Sequence, residues 1–119
     1  MKFQRQQRID HEIQRALGTV ITQQLKDPRL GFTTVTRVEV TQDLHHAKVF
    51  VSIIGDRHAA KQTMDALEHA ARFLRGELGH LVKLRHIPEL HFVEDRSTER
   101  AITISQALQA AAQARGDNA

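Results

Sequence analysis

Apolar residues recur at steps of three and four along the first part of the chain, the spacing that places side chains on one face of a helix. This stripe predicts an amphipathic helix from about Gln4 to Leu25, ended by Asp27-Pro28 and a turn at Gly31. Its apolar members are Ile9, Ile13, Ala16, Leu17, Val20, Ile21 and Leu25.

The next two stretches alternate with the period of two that is typical of β-strands. From Phe32 to Thr41, strict alternation predicts a strand with Val35 on the face opposite to Val38 and Val40. Gln42–His45 predicts a hairpin connection, so the second strand, from Ala47 to Ile53, should pair with the first in antiparallel fashion.

A second helical period begins near His58 or Ala59 and continues to about Val82. Ile87-Pro88 is unfavourable for a helix, and Leu90 to Glu94 alternates as a half-buried third strand should. Acceptors and negative charge then predict the start of a final helix at Asp95, Ser97 and Glu99. One face of this final helix carries Ala101, Ile104, Leu108, Ala111 and Ala112.

The order of these elements predicts an α+β fold, in which helices pack on one face of a three-stranded sheet. With 119 residues and 40% hydrophobic content, the chain suits a single domain, expected over residues 1–115, and residues 116–119 are expected to be a disordered C-terminal stub. The chain has no cysteine, no apolar run long enough for a membrane span and no signal-peptide pattern, so we expect a cytoplasmic protein. We also expect a monomer.

The charge pattern indicates a local cationic surface, because the net charge of +3 is too small for a generic polyanion binder. Around the end of the second helix, four cations face only Glu77. An RNA-binding surface and a solvated helix face both fit such a cluster. The four cations are Arg72, Arg75, Lys83 and Arg85. Arg5, Arg8 and Arg15 are interleaved with Asp10 and Glu12 and fit a solvated face better.

An ordered set of segments resembles the bacterial ribosome-binding factor A family, from about Arg8 to Leu108. The early segments are Asp27-Pro28-Arg29-Leu30, Val38-Glu39-Val40, Asp43-Leu44 and Ala47-Lys48-Val49-Phe50-Val51. The later ones are Phe73-Leu74-Arg75, Leu84-Arg85, Pro88-Glu89-Leu90, Phe92, Asp95 and Ser97. This resemblance implies a type II K-homology fold, binding to the small (30S) ribosomal subunit and its 16S rRNA, and a role in maturing that RNA, notably in the cold. It also favours RNA binding as the role of the four cations.

The chain departs from the family where the long helix usually bends at an Ala-x-Gly triplet, because it has Ala70-Ala71-Arg72 there. Glycine costs a helix about 1 kcal/mol relative to alanine, so its absence strengthens the helix locally. Close packing of the two alanines predicts a kink near Ala71, milder than a glycine would give. The second half of the helix would then start around Phe73 and Leu74, with its positive end aimed at an RNA backbone.

The remaining motifs give no sign of catalysis or metal binding. Gly76-Glu77-Leu78-Gly79 fits the GxxG pattern of nucleic-acid-clamping loops, but Leu78 continues the apolar stripe, which predicts a helix interior. The eight histidines lack a ligand spacing, so no metal and no cofactor are expected. Asp43 and Asp95 suit a turn and a helix start.

The chain has no Trp or Tyr, so RNA recognition should depend on backbone charge and shape. The sequence thus favours a non-enzymatic factor that binds RNA through the central helix pair and the adjacent sheet edge. Two other functions stay open: a protein-interaction domain without RNA binding, and a small hydrolase that uses His and Asp groups.

Overall fold

A computed structural model of the chain describes the backbone of residues 2–117 and the side chains of residues 4–97 and 102–114. The elements follow the predicted α+β order and occupy these ranges: α1 Lys2–Gln23, β1 Phe32–Val40, β2 His46–Ile54, α2 Arg57–Leu81, β3 Glu89–Glu94 and α3 Ser97–Asp117. Within this part of the chain, no helix is both long and apolar enough to cross a membrane.

The three strands form one sheet in the order β1-β2-β3. The β1–β2 pair is antiparallel, as the hairpin predicts, and Val40 lies opposite Ala47 beside the turn. The β2–β3 pair is parallel and aligns His46 with Glu89. Parallel neighbours need a crossover connection, and α2 provides it. β2 is therefore central, and the long helix carries the chain back to the start of β3.

The core lies between one face of the sheet and the apolar stripes of α1 and α2. The structure confirms the apolar stripes predicted for both helices. In α1, Ile13, Leu17 and Val20 are fully buried. From α2, Leu67, Leu74 and Leu78 meet them, also fully buried. α2 begins where Asp56 caps it, since the Asp56 side chain accepts a hydrogen bond from the Ala59 N–H at 2.8 Å.

β1 does not alternate strictly, so the predicted facing of Val35 was wrong. The pairing with β2 shifts between Val35 and Arg37, which makes Thr36 the additional residue of a β-bulge. One extra residue shifts the alternation of side chains between the two faces of the sheet. Val35 therefore points to the same core as Val38 and Val40. The Thr36 hydroxyl donates to the Asp95 carboxylate at 2.8 Å, which ties the bulge to the end of β3.

A polar stripe of α1 covers the free edge of β1. Gln6 donates to the Val40 carbonyl at 2.8 Å, Asp10 accepts from the Val40 N–H at 3.0 Å, and Gln14 donates to the Val35 and Thr36 carbonyls at 3.3 and 3.2 Å. The three side chains are four residues apart and therefore share one helix face. An exposed strand edge invites pairing with other chains, and this stripe satisfies its polar groups internally.

Asp10 provides a test of this edge contact. Partial burial raises the pKa of its carboxyl group, and nearby Glu39 adds to this, although the Val40 N–H opposes it. Because the folded-state pKa is raised, ionised Asp10 costs stability at neutral pH, and the cost disappears as the pH falls through that pKa. Asp10→Asn keeps the acceptor without the charge, so we expect urea unfolding at pH 7 to show equal or higher stability than in the wild type. Asp10→Ala should lose about 1 kcal/mol, and equal losses in both variants would contradict this role.

α2 is one continuous helix from Arg57 to Leu81, with no interruption at the position of the predicted kink. Alanine and arginine are strong helix formers, so Ala70-Ala71-Arg72 keeps the helical ladder intact where the family usually has glycine. No second helix starts at Phe73 and Leu74, and no positive helix end exists there to receive a phosphate. A shallow bend at Ala71 stays a prediction. Ala71 is only half-buried, so the close packing that was expected to cause the bend is weaker than predicted.

The described side chains of α3 do not join the core, in contrast to the expectation that all helices pack on the sheet. Its described side chains, at residues 102–114, are all exposed, including Ile104 and Leu108 at 60% and 64%. Apolar residues also lie off the predicted face, at Ile102 and Ala110, so the helix presents no single strong apolar stripe to the sheet. The helix extends to Asp117, so Gly116 and Asp117 of the expected stub belong to it, while Asn118 and Ala119 lie outside the described residues.

Candidate nucleic-acid interface

A groove runs between the C-terminal half of α2 and the loop that leads into β3, with a volume of about 540 Å³. α2 lines it with residues spaced at three and four positions, which places them on one face. The loop closes the other side. The lining residues are Arg72, Arg75, Gly76, Gly79, His80, Arg85, His86 and Ile87.

Arg75 holds the two walls together. Its guanidinium donates twice to the Ile87 carbonyl, from Nε at 3.1 Å and from an Nη at 2.8 Å. This carbonyl immediately precedes the buried Pro88, so the contact fixes the loop where the chain turns into β3. The sequence pattern predicted only an RNA contact for Arg75. The structure gives it a positioning role as well, so Arg75→Glu would alter charge and loop geometry together.

Arg72 and Arg85 are exposed, and among the described residues neither makes a hydrogen bond or an ion pair within the protein. With Arg75 they give the groove three positive charges, and none of its lining side chains is acidic. Lys83, the fourth predicted cation, is exposed in the same loop but is not part of the described lining. The structure therefore brings Arg72, Arg75 and Arg85 together and leaves Lys83 beside them.

The floor of the groove is helical backbone exposed at two glycines. Gly76 and Gly79 lie inside α2, which confirms that the GxxG segment is a helix interior and not a loop. A Cβ at Gly76 would meet nothing within 4 Å, whereas one at Gly79 would lie 3.4 Å from Ile87 Cγ1. The absence of side chains here lets another molecule approach the helix closely. The sequence signal for this floor was the GxxG segment itself, which Leu78 and the apolar stripe predicted only as a helix interior.

The stability of a Gly76→Ala variant tests whether the floor of the groove is open at this position. Alanine is about 1 kcal/mol better than glycine inside a helix, and the site has room for a methyl group, so we expect the free energy of unfolding to rise by up to about that amount. Gly18→Ala in α1 is the matched control, because a Cβ there also meets nothing within 4 Å. Urea unfolding should show similar gains for both. A loss of stability at Gly76 alone would contradict the open floor described above.

The two carboxylates considered for catalysis have structural partners. Asp43 accepts from the Thr41 hydroxyl at 2.6 Å and from the His45 N–H at 3.0 Å, and these bonds lower its pKa. Hydrogen bonds from Ser97 and Thr36 lower the pKa of Asp95 to about 2. Asp43 thus fixes the hairpin turn and Asp95 the start of α3, as the sequence predicts. Neither residue lines the groove.

Sequence spacing did not reveal one cluster of imidazoles. His46 and His91 are 45 positions apart, but the parallel register brings His46 Nδ1 to 3.0 Å from His91 Nε2. Glu89 lies opposite His46, with its carboxylate oxygen 3.8 Å from the same Nδ1. The pairing of β2 with β3 was the missing information, since the chain order alone does not show that the strands are neighbours.

Fold and groove together define a small α+β domain with a cationic, glycine-floored groove complementary to a polyanion. The family model described as Ribosome-binding factor A matches residues 5–108. A ribosome-binding factor A of Desulfitobacterium hafniense is 46% identical over 108 residues, which cover 91% of this chain and 86% of that protein. The ribosome-binding factor A of Stutzerimonas stutzeri is 44% identical over 113 residues, which cover 92% of this chain and 88% of that protein. The chain therefore belongs to the ribosome-binding factor A family.

Solved structures of the family agree with the fold. The crystal structure of ribosome-binding factor A from Thermus thermophilus has a TM-score of 0.69 and 30% identity, covering 77% of this chain and 97% of that one. A homology model of the Thermus thermophilus factor, fitted into the cryo-EM map of a 30S complex, has a TM-score of 0.61 and 33% identity, covering 73% and 91%. The α+β prediction is thus confirmed, and so is the resemblance found in the sequence.

Proposed function

We propose that this chain binds the small ribosomal subunit by placing its groove against the backbone of 16S rRNA, and that it assists maturation of that RNA, notably in the cold. It acts in the cytoplasm as a monomer, on subunit precursors, without catalysis, cofactor or membrane. Membership of the ribosome-binding factor A family supports the ribosome as the target. The homology model of a relative fitted into the map of a 30S complex supports the small subunit as the part that is bound. The type II K-homology character of the fold is part of the same proposal.

The groove is the observation that carries the proposal. Arg72 and Arg85 present charges that no described partner neutralises, and Gly76 exposes the helix between them. Guanidinium groups match phosphate geometry and remain charged at every physiological pH. A phosphate backbone that enters the groove would meet cations on both walls and no side chain on the floor at Gly76. The expected contacts are therefore from Arg72, Arg75 and Arg85, with Lys83 as an outer contact.

The mode of recognition follows from what the chain lacks. Base-stacking proteins use exposed aromatic rings, and this sequence has no Trp or Tyr. Of the four Phe whose side chains are described, Phe32 and Phe73 are exposed, at 73% and 46%, but neither lines the groove. The Phe50 ring lies on the face of the sheet opposite to the helices, with its centroid 4.2 Å from the guanidinium carbon of Arg37. We therefore expect binding to depend on the shape and charge of the RNA backbone, with little preference for base sequence.

Sedimentation with ribosomal particles tests the proposal. Purified chain is mixed with small-subunit precursors, mature small subunits or large subunits, and each mixture is centrifuged at several salt concentrations. We expect co-sedimentation with the small-subunit particles and a strong decrease as salt rises, because displaced counterions drive phosphate binding. Equal recovery with the large subunits would contradict the target. Recovery that does not change with salt would favour a protein-interaction domain.

A further inference from the structure

We propose that His46, Glu89 and His91 form a binding site for a divalent ion of the zinc class on the exposed face of the sheet. One nitrogen from each imidazole and one carboxylate oxygen all lie within 4.8 Å of one another. Two imidazoles and a carboxylate are a ligand set typical of zinc, and they leave one position of a tetrahedron for water. None of the three ligands lines the cationic groove, although Glu89 lines a neighbouring cavity with Arg72 and Arg75, and the site does not depend on the proposed function.

Backbone pairing brings the three ligands together. His46 and Glu89 are direct partners across the β2–β3 pair, and His91 is paired with Lys48, the next outward-facing position. All three side chains project from the face opposite to the helices and are exposed. The strand ends are also joined by a hydrogen bond from the Glu89 N–H to the His45 carbonyl, at 2.8 Å. The sheet therefore preorganises the ligands without help from a flexible loop.

The distances are close to those of a bound ion. Zn–N bonds of about 2.0–2.1 Å in a tetrahedron separate the two nitrogens by about 3.3 Å. His46 Nδ1 and His91 Nε2 are 3.0 Å apart, and His46 Nδ1 and the Glu89 oxygen are 3.8 Å apart. The two imidazole nitrogens share one hydrogen bond, so one of them carries a proton. An ion that binds between them takes the place of this proton, and the neutral ring that donated it then carries its proton on its other nitrogen.

The surrounding charges permit an ion at this position. Glu89 supplies the negative charge, and it also lines a cavity with Arg72 and Arg75. On the strands themselves, Lys48 is the register partner of His91. Lys48 is exposed and is paired in register with Glu39 of β1, so its repulsion is screened by water and by an opposite charge. A bound ion would fasten the first residues of β3 to β2, next to the loop that carries Arg85 and Ile87.

The test uses the untagged full-length chain, since a polyhistidine tag would bind the same ions. Zinc chloride is titrated by calorimetry, and the imidazole signals are followed by NMR. We expect one ion per chain and shifts of the His46 and His91 ring signals. The Tm should rise by about 5 °C at roughly tenfold excess of free ion over Kd. Magnesium should have no such effect, because it prefers oxygen ligands.

Two variants and one control decide the assignment. His91→Gln and Glu89→Gln should each weaken zinc binding by about tenfold or more, while leaving the Tm of the metal-free protein nearly unchanged, because both residues are exposed. His86→Gln is the control, since His86 stacks on His45 with ring centroids 5.6 Å apart and is absent from the proposed site. Absence of saturable binding, or equal weakening by His86→Gln, would overturn the proposal.

Discussion

Arg72→Glu combined with Arg85→Glu is expected to weaken binding to the small ribosomal subunit by about tenfold or more at low salt. Both guanidinium groups line the groove, and neither has a described partner in the protein. The double reversal should also flatten the dependence of log K on log salt, by about 0.7–0.9 for each phosphate that the variant no longer neutralises. Sedimentation at graded salt concentrations measures both quantities. Folding should be preserved, because exposed substitutions usually change stability by less than about 0.5 kcal/mol.

Arg8→Glu with Arg15→Glu is the matched control, since it changes the net charge by the same amount at exposed positions of α1. If long-range attraction to the ribosome dominated, the two double variants would bind equally weakly. A groove that contacts phosphates directly predicts a much smaller effect in the α1 variant. Equal affinity of the wild type and the groove variant would place the interface on another face of the domain.

Thr63→Val is expected to lower the free energy of unfolding by about 1–3 kcal/mol, although valine has nearly the same shape. The Thr63 side chain is fully buried in α2. Its hydroxyl accepts from the Gly31 N–H at 2.9 Å and donates to the Arg29 carbonyl at 3.3 Å. Valine would leave both backbone groups without this partner. Urea unfolding followed by circular dichroism measures the loss.

Thr63→Ser is the companion variant, because it retains the hydroxyl and removes only a methyl group. Its loss should be near that of one buried methyl, about 1 kcal/mol, and smaller than that of Thr63→Val. The contact joins α2 to the Asp27-Pro28-Arg29-Leu30 segment, one of the segments that carry the family resemblance. A loss in Thr63→Ser as large as in Thr63→Val would mean that packing, and not the hydroxyl, stabilises this junction.

The sequence predicted those parts of the fold that regular periodicity encodes. The stripe of α1 and the alternation of β2 are local patterns that burial enforces, and the structure confirms both. The β1 bulge could not be predicted in this way, because Thr36 becomes unpaired only through the register with β2. Likewise, the polar stripe of Gln6, Asp10 and Gln14 could not be predicted, because it depends on which edge of the sheet α1 covers.

The candidate site was predicted in composition but not in form. Clustered cations were visible in the sequence, and Arg72, Arg75 and Arg85 do line one groove. A kink near Ala71 was predicted, and α2 continues unbroken through it because Ala70-Ala71-Arg72 favours helix more than the family triplet does. The long-range contacts that shape the site, from Arg75 to Ile87 and between His46 and His91, follow from tertiary placement that no local pattern contains.

Site-directed crosslinking tests the position of the interface most directly. The chain has no cysteine, so a single introduced thiol can carry a photoreactive group without further changes. His80→Cys places it in the groove, and Glu39→Cys places it at an exposed position on the opposite face of the sheet. Both labelled chains are bound to small-subunit precursors and irradiated, and the crosslinked RNA is identified. We predict that the His80→Cys chain crosslinks to 16S rRNA much more strongly than the Glu39→Cys chain. Crosslinks from Glu39→Cys with none from His80→Cys would contradict the account.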